Sequence, residues 1–303
     1  MDIRVMRSFI TIAQVGSVTG AAEELHVSQP ALSRQMIDLE RELGRELLDR
    51  SGRRITLTAD GQLFLSRARE VVGLFDKTSE EFRAGTLVGG DIHIGASETQ
   101  AMCFIGMAAA RLARTHPDVH LHLHSEDSDA VTEHLEHGLY DFGVMVGPAR
   151  TEVFRTLALP RPDVWGVLVP AEDDLASRDV ATPDDLAARP LIVPEKRIAQ
   201  NRLADWFGQA RPELSPRATY NLLFNASLLV REGVGAALCL GGIAAPGSET
   251  SLAFVPLSPA LTSQVELVWS RSHELAPAGK ALLGAVRELV NPTELAAEVR
   301  ARP

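Results

Sequence analysis

Four arginines stand where their neighbours give them work. Arg34 follows Gln29, Pro30 and Ser33 on one short helical pattern, and Arg50, Arg53 and Arg54 surround the dipeptide Ser51-Gly52. A guanidinium can grip a guanine edge with two parallel hydrogen bonds or rest on a phosphate, and Gln and Ser read base edges beside it. A second group, Ser97, Thr99 and Gln100, combines short hydroxyls and an amide where a strand pattern gives way to a helix, a place where free backbone N–H groups favour an anion. Met145, Glu195, Arg197 and Asn225 follow other strand-like runs and are further candidates for small-molecule contact. For each, a plain turn or helix-cap role is an equal alternative.

The elements that would hold the first group are legible. Residues 17–35 read SVTGAAEELHVSQPALSRQ. Val18, Ala22 and Leu25 recur at i, i+4 and i+7, then the pattern breaks at His26, Val27 and Ser28. A second helix starts with Ser28 as cap and Pro30 in its first turn, where a missing N–H costs nothing. Leu32, Met36, Leu39 and Leu43 make one apolar stripe; Pro30, Ser33, Arg34, Ile37 and Arg41 turn away from it. Two short helices with a tight turn, the second polar and cationic outside, match a helix-turn-helix, the alternative being an ordinary helical hairpin. The alternation of Ile55 and Leu57 after the arginine-rich turn predicts a short wing.

Downstream, residues 59–84 contain no Pro, and Phe64, Ala68, Val71, Phe75, Thr78 and Phe82 are spaced 4, 3, 4, 3 and 4. That heptad seam predicts a helix paired with a second copy through Phe64, Ala68, Val71, Phe75 and Phe82; a helix packed on its own chain is the alternative. From Asp91 onward strands alternate with helices, which predicts a mostly parallel sheet covered on both faces. A ligand would then sit outside the carboxyl ends of the strands.

Met6, Phe9, Ile10, Ala13, Gly16-Ser17, Ala21-Ala22, Leu25, the run Ser28 to Ser33, Ile37, Leu39-Glu40, Leu43-Gly44, Leu47-Leu48, Arg50 and Leu57-Thr58 together resemble the amino-terminal signature of LysR-type transcriptional regulators. The likeness is dense over some sixty residues and weaker beyond. It implies an α+β and α/β chain: a winged helix-turn-helix over 1–58, a linker helix over 59–90, and an effector-binding domain over 91–303. That domain would resemble periplasmic binding proteins, with lobe I at about 91–161 and 267–303, lobe II at about 162–266, and crossings near 159–164 and 262–266. It further implies double-stranded operator DNA, a small-molecule effector and a homodimer as partners, with pairing to a homotetramer through the α/β domains.

Composition bounds these readings. At 303 residues the chain suits two or three domains. Its formal net charge is −10, and residues 1–58 hold eight Arg against eight Asp plus Glu, so DNA affinity must come from local placement and from dimerisation. Two cysteines, Cys103 and Cys239, in apolar or small-residue stretches predict buried thiols in a reducing cytoplasm rather than a disulfide. No signal-peptide pattern or bilayer-length apolar run is present, so no membrane role is expected.

Other patterns carry less. His120, His122 and His124 alternate on a strand, with His116, His134 and His137 nearby, but no cysteine supports a metal site; a proton-sensitive contact suits an edge strand better. Gly233-Val234-Gly235 follows a helix and lacks a third glycine, which argues against a nucleotide loop. The rival class, an enzyme, would need a nucleophile beside a base, a metal tetrad or a phosphate loop, and none is apparent; a purely architectural DNA-binding protein would leave the α/β region without a task. No cofactor, metal or catalytic residue is expected.

Overall fold

The computed structural model describes residues 1–52, 54–84, 88–210, 215–243 and 251–290. It divides into two compact units, Met1–Gly85 and Thr86–Pro303.

The first unit begins with α1 (Ile3–Val15), α2 (Val18–Glu24) and α3 (Gln29–Leu43). Asp2 caps α1 by accepting the Arg4 and Val5 N–H groups, and the Ser17 hydroxyl caps α2 from Gly20 N–H. Ser28 stands at the cap position of α3 without a side-chain cap bond, and Pro30 sits in the first turn, where its missing N–H leaves no helical bond unmade. Phe9, Ile12, Ala21, Ala22, Leu32, Met36 and Leu39 close over one another as the core, whereas Leu43, the last residue of the stripe, is exposed at the end of its helix. Strands β1 (Leu48–Asp49) and β2 (Thr56–Leu57) pair antiparallel as the wing. The Thr58 hydroxyl then caps α4 (Ala59–Ala84) from Gly61 N–H at 2.9 Å. Gly61 is required there: a Cβ would lie 2.0 Å from the Leu47 carbonyl oxygen.

The second unit holds two sheets. The first has β3 (Gly90–Ala96), β4 (Val119–Ser125), β5 (Phe142–Val146), β6 (Phe154–Ala158) and β13 (Val265–Ser270), in the order β4-β3-β5-β13-β6. β3 runs parallel to β4 and β5; β13 runs antiparallel to β5 and β6. Helices α5 (Met102–Thr115) and α10 (Pro277–Val290) bury one face around Ile92, Ile94, Phe142, Leu267 and Trp269, and α6 (Ser128–Glu136) covers part of the other with Val131 and Leu135. The second sheet is ordered β11-β7-β10-β8-β9. Its strands are β7 (Asp163–Pro170), β8 (Leu191–Pro194), β9 (Ala218–Tyr220), β10 (Ala236–Leu240) and β11 (Leu252–Pro256), with the short β12 (Thr262–Ser263) on β7. Helices α7 (Pro183–Leu186), α8 (Arg197–Phe207) and α9 (Leu223–Arg231) belong to this lobe. Each sheet is mixed rather than mostly parallel, because the chain leaves the first sheet after β6 and returns as β13 after β12. The two crossings lie at 159–162 and at Gln264, whose side chain ties them by donating to Leu159 O at 2.7 Å.

Candidate functional site

The outer face of α3 is a continuous surface of Gln29, Pro30, Ser33, Arg34, Ile37, Asp38 and Arg41. Gln29, Pro30 and Arg34 are exposed, Ser33 half-buried, and Arg41 is paired with Asp38 at 2.8 Å. The helix buries Leu32, Met36 and Leu39 on its opposite side, which fixes the outward aim of this set. Arg50 is less free than its sequence context suggests. Glu40 accepts the Leu47 and Leu48 N–H groups with Oε1 and pairs with Arg50 through Oε2 at 2.8 Å, so it pins the root of the wing to α3. Arg54 is exposed. Arg53 lies outside the described residues.

Along α4 the heptad positions divide. Phe64 packs edge-on against Phe9 at 5.0 Å, Ala68 is 1 % exposed, and Arg7 of α1 pairs with Asp76. Phe64 and Ala68 are therefore core of their own unit, because α1 covers the first turns of the helix. Val71 and Phe75 are half-exposed and Phe82 is 84 % exposed, leaving an apolar stripe on the later turns.

In the second unit the carboxyl ends of strands from both sheets converge on a cavity of about 530 Å³. Ser97, Met145, Glu195 and Arg197 line it, as the strand-end reasoning expects. Thr99, Gln100 and Asn225 do not line it. Thr99 is buried and its hydroxyl accepts Ala101 N–H at 3.0 Å, which makes it a cap of the turn before α5. The Gln100 side chain instead crosses between lobes to Gly242 O at 3.3 Å; Gly242 has φ 76°, and a Cβ there would fall 1.7 Å from Gln100 Nε2. Asn225 is exposed on α9, away from the cavity.

Residues that sequence reasoning missed complete the cleft. Lys196 reaches Asp127 and Asp129 at 3.3 and 3.4 Å, joining lobe II to lobe I. Glu98 accepts Leu223 N–H, so a lobe I carboxylate caps α9 of lobe II. Trp165, Arg202 and Ser263 form one corner, held by Trp165 Nε1 to Ser263 Oγ at 2.9 Å and Arg202 Nη1 to the same oxygen at 2.7 Å. Asp163, next to that corner in the strand pairing, is 4 % exposed; burial pushes its carboxyl up, opposed by the Thr99 hydroxyl and the Gln100 N–H, and its Oδ2 has no hydrogen-bond partner among the described residues.

The histidines form a row on the outer face of β3 and β4, the latter an edge strand. His122 and His93 stack at 4.7 Å, His93 and His124 at 5.7 Å, and His124 continues onto Tyr140 at 4.7 Å. Asp91 meets His122 at one end; Glu126 accepts from Tyr140 and His134 at the other, each 3.0 Å. Among the described residues no three His, Cys, Asp or Glu side chains are placed to hold a metal ion. Cys239 is buried, and burial pushes its thiol up to about 12; Cys103 is exposed on the outer side of α5, where it departs from the buried position its small-residue surroundings suggest.

A family model described as the bacterial regulatory helix-turn-helix protein, lysR family, matches residues 3–62, and one described as the LysR substrate binding domain matches residues 85–291. The chain belongs to the LysR family of transcriptional regulators. Among curated relatives, this LysR-type regulator is 30% identical over 301 residues to the uncharacterized HTH-type transcriptional regulator YvbU of Bacillus subtilis, covering 95% of this chain and 99% of the relative. It is 27% identical to the uncharacterized HTH-type transcriptional regulator YfeR of Shigella flexneri, over 96% of this chain and 94% of that one. Its fold is that of CbnR, a LysR family transcriptional regulator, with a TM-score of 0.76 at 21% identity, 96% of this chain and all of that one being covered. CbnR in complex with its target DNA matches with a TM-score of 0.72 at 21% identity, over 95% and 99%. The regulator thus carries a DNA-binding helix-turn-helix and a two-lobed effector-binding domain, and it is not an enzyme. Among the described residues no helix is long and apolar enough to cross a membrane.

Proposed function

We propose that this LysR-type regulator reads an operator with Gln29, Pro30, Ser33 and Arg34 of α3, steadied on the backbone by Arg50, Arg53 and Arg54 of the wing. A small molecule held in the cleft between its lobes would switch it. The observation that carries the first part is the shared outward face of those four α3 residues, set by the burial of Leu32, Met36 and Leu39 behind them. The second part is supported by the 530 Å³ cavity at the strand ends.

The working unit would be a dimer paired along Val71, Phe75 and Phe82 of α4, in the division 1–58, 59–90 and 91–303. Leu123 on edge strand β4 and Phe224, Leu228 and Leu229 on α9 are exposed apolar residues that would serve further pairing of α/β domains into a tetramer. It would act in the cytoplasm, where its operator lies. Sequencing DNA fragments recovered with the purified protein tests the reading. A recurrent, two-fold-related motif protected in footprints is expected; recovery of random fragments with no common motif would overturn it.

A further inference from the structure

The charges lining the cleft can be sorted by partner. Glu98 is taken by Leu223 N–H, Glu126 by Tyr140 and His134, Asp127 and Asp129 by Lys196, and Arg150 by Glu136. Two guanidiniums on lobe II, Arg197 and Arg202, pair with no carboxylate among the described residues. Arg197 is exposed near the exposed Glu195; Arg202 is half-buried in the wall.

The corner around Arg202 has an unfilled donor. A serine hydroxyl has two acceptor positions and one proton. Trp165 Nε1 and Arg202 Nη1 occupy both acceptor positions of Ser263, and its proton is donated to no acceptor among the described residues. Ser263 is 2 % exposed yet lines the cavity. Arg202 uses one further N–H on Thr262 O at 2.6 Å, which leaves guanidinium donors over, since the group carries five. By contrast, the turn before α5 has its hydroxyl, Thr99, buried toward the chain's own Asp163.

We propose that Arg202 and Ser263 form the acid subsite of the effector, and that the effector is a small monocarboxylate with an apolar body. This rests on the reading of the cleft as the effector site. The carboxylate accepts the Ser263 O–H and Arg202 N–H, a charge-assisted pair of the strong kind. The body lies against Trp165, Leu240, Ile243 and Met145, which also line the cavity. A second carboxylate would face the acidic wall of lobe I, Glu98, Glu126, Asp127 and Asp129, so a diacid fits less well.

The test uses the full chain and two matched probe pairs, hexanoate with hexanamide and phenylacetate with phenylacetamide. Binding is followed by calorimetry and by quenching of the Trp165 signal, isolated against Trp165→Phe. At least one acid should bind about ten- to a hundredfold tighter than its amide, and Arg202→Met should abolish that preference by lowering the affinity of the acid far more than that of the amide. Ser263→Ala, a smaller change that leaves the guanidinium in place, should weaken the acid by about tenfold. Far-ultraviolet melting confirms that each variant is folded. An acid that binds with its preference intact in both variants overturns the subsite alone and leaves the cleft reading standing. Failure of every acid to bind at millimolar concentration, with DNA binding intact, overturns the monocarboxylate assignment as well; the cleft reading then stands or falls on whether any effector shifts the footprint.

Discussion

In the proposed reading of the operator, single residues on α3 and the wing divide DNA recognition between them. Arg34 projects from the recognition face without an ion-pair partner among the described residues, whereas Arg50 is held by Glu40. Arg34→Ala should relax specificity at one base position at a cost of about 1–3 kcal/mol if its contact is bidentate. Arg54→Ala should weaken all sequences alike and flatten the salt dependence. Competition binding with operator and random DNA at several salt concentrations checks both, and an unchanged operator preference in Arg34→Ala would remove α3 as the reader. A different residue-scale effect belongs to His124. Burial lowers its pKa from 6.5, Glu126 opposes this, and His122 and His134 add to it. The folded state thus disfavours the protonated ring that the unfolded chain accepts. Stability from this source is full above 6.5 and is lost as pH falls below it. His124→Phe keeps a ring against Tyr140, so its melting temperature should fall less than wild type on going from pH 7 to about pH 5. Parallel curves for the two proteins would show that His124 does not carry this dependence.

At the scale of elements, periodicity showed where helices lie but not which neighbour covers them. The spacing of Phe64, Ala68, Val71, Phe75 and Phe82 fits one seam, yet the first two pack on α1 and only the later turns remain apolar and exposed. A spacing rule contains no information about a helix 50 residues away in sequence, so this division could not be read in advance. The α3 face was legible because its stripe and its outer face are set by one helix alone. Ser97, Met145, Glu195 and Arg197 were legible because strand ends can be recognised locally. Arg202 and Ser263, 61 residues apart, meet only through the second crossing, and nothing local announces it. The exposed part of α4 makes a clean test of assembly. Val71 is 46 % exposed in the single chain, so Val71→Asp leaves the isolated fold intact. In a paired helix it would bury an unpaired carboxylate, at a cost of several kcal/mol. Sedimentation should then show a monomer, and operator affinity should fall because each half-site is bound separately. A variant that sediments like wild type would move the dimer contact elsewhere.

For the molecule as a whole, an effector can switch transcription only by preferring one arrangement of the lobes to another, since equal affinity shifts nothing. The lobes are joined by contacts across the cleft: Lys196 to Asp127 and Asp129, Gln100 to Gly242 O, and Glu98 to Leu223 N–H. Lys196 stands at the N-cap position of α8 but makes no side-chain cap bond there, so its ammonium can be removed while the hydrogen bonds of α8 stay in place. Asp129 is 94 % exposed, so solvent screens part of the attraction and the bridge is worth at most about 1 kcal/mol. That still corresponds to about a fivefold change in the ratio of closed to open forms. Lys196→Ala should therefore broaden the distance distribution between spin labels at Arg114 on lobe I and Asp184 on lobe II toward longer values. The exposed Cys103 must first be replaced by Ser so that it takes no label, while the buried Cys239, with its thiol held protonated, can stay. A ligand that bridges the lobes should narrow the distribution again, and it should need more binding energy to do so in Lys196→Ala, seen as a weaker apparent affinity. If the wild-type and Lys196→Ala distributions coincide, the bridge does not set lobe closure, and the remaining cross-lobe contacts at Gln100 and Glu98 hold the cleft by themselves.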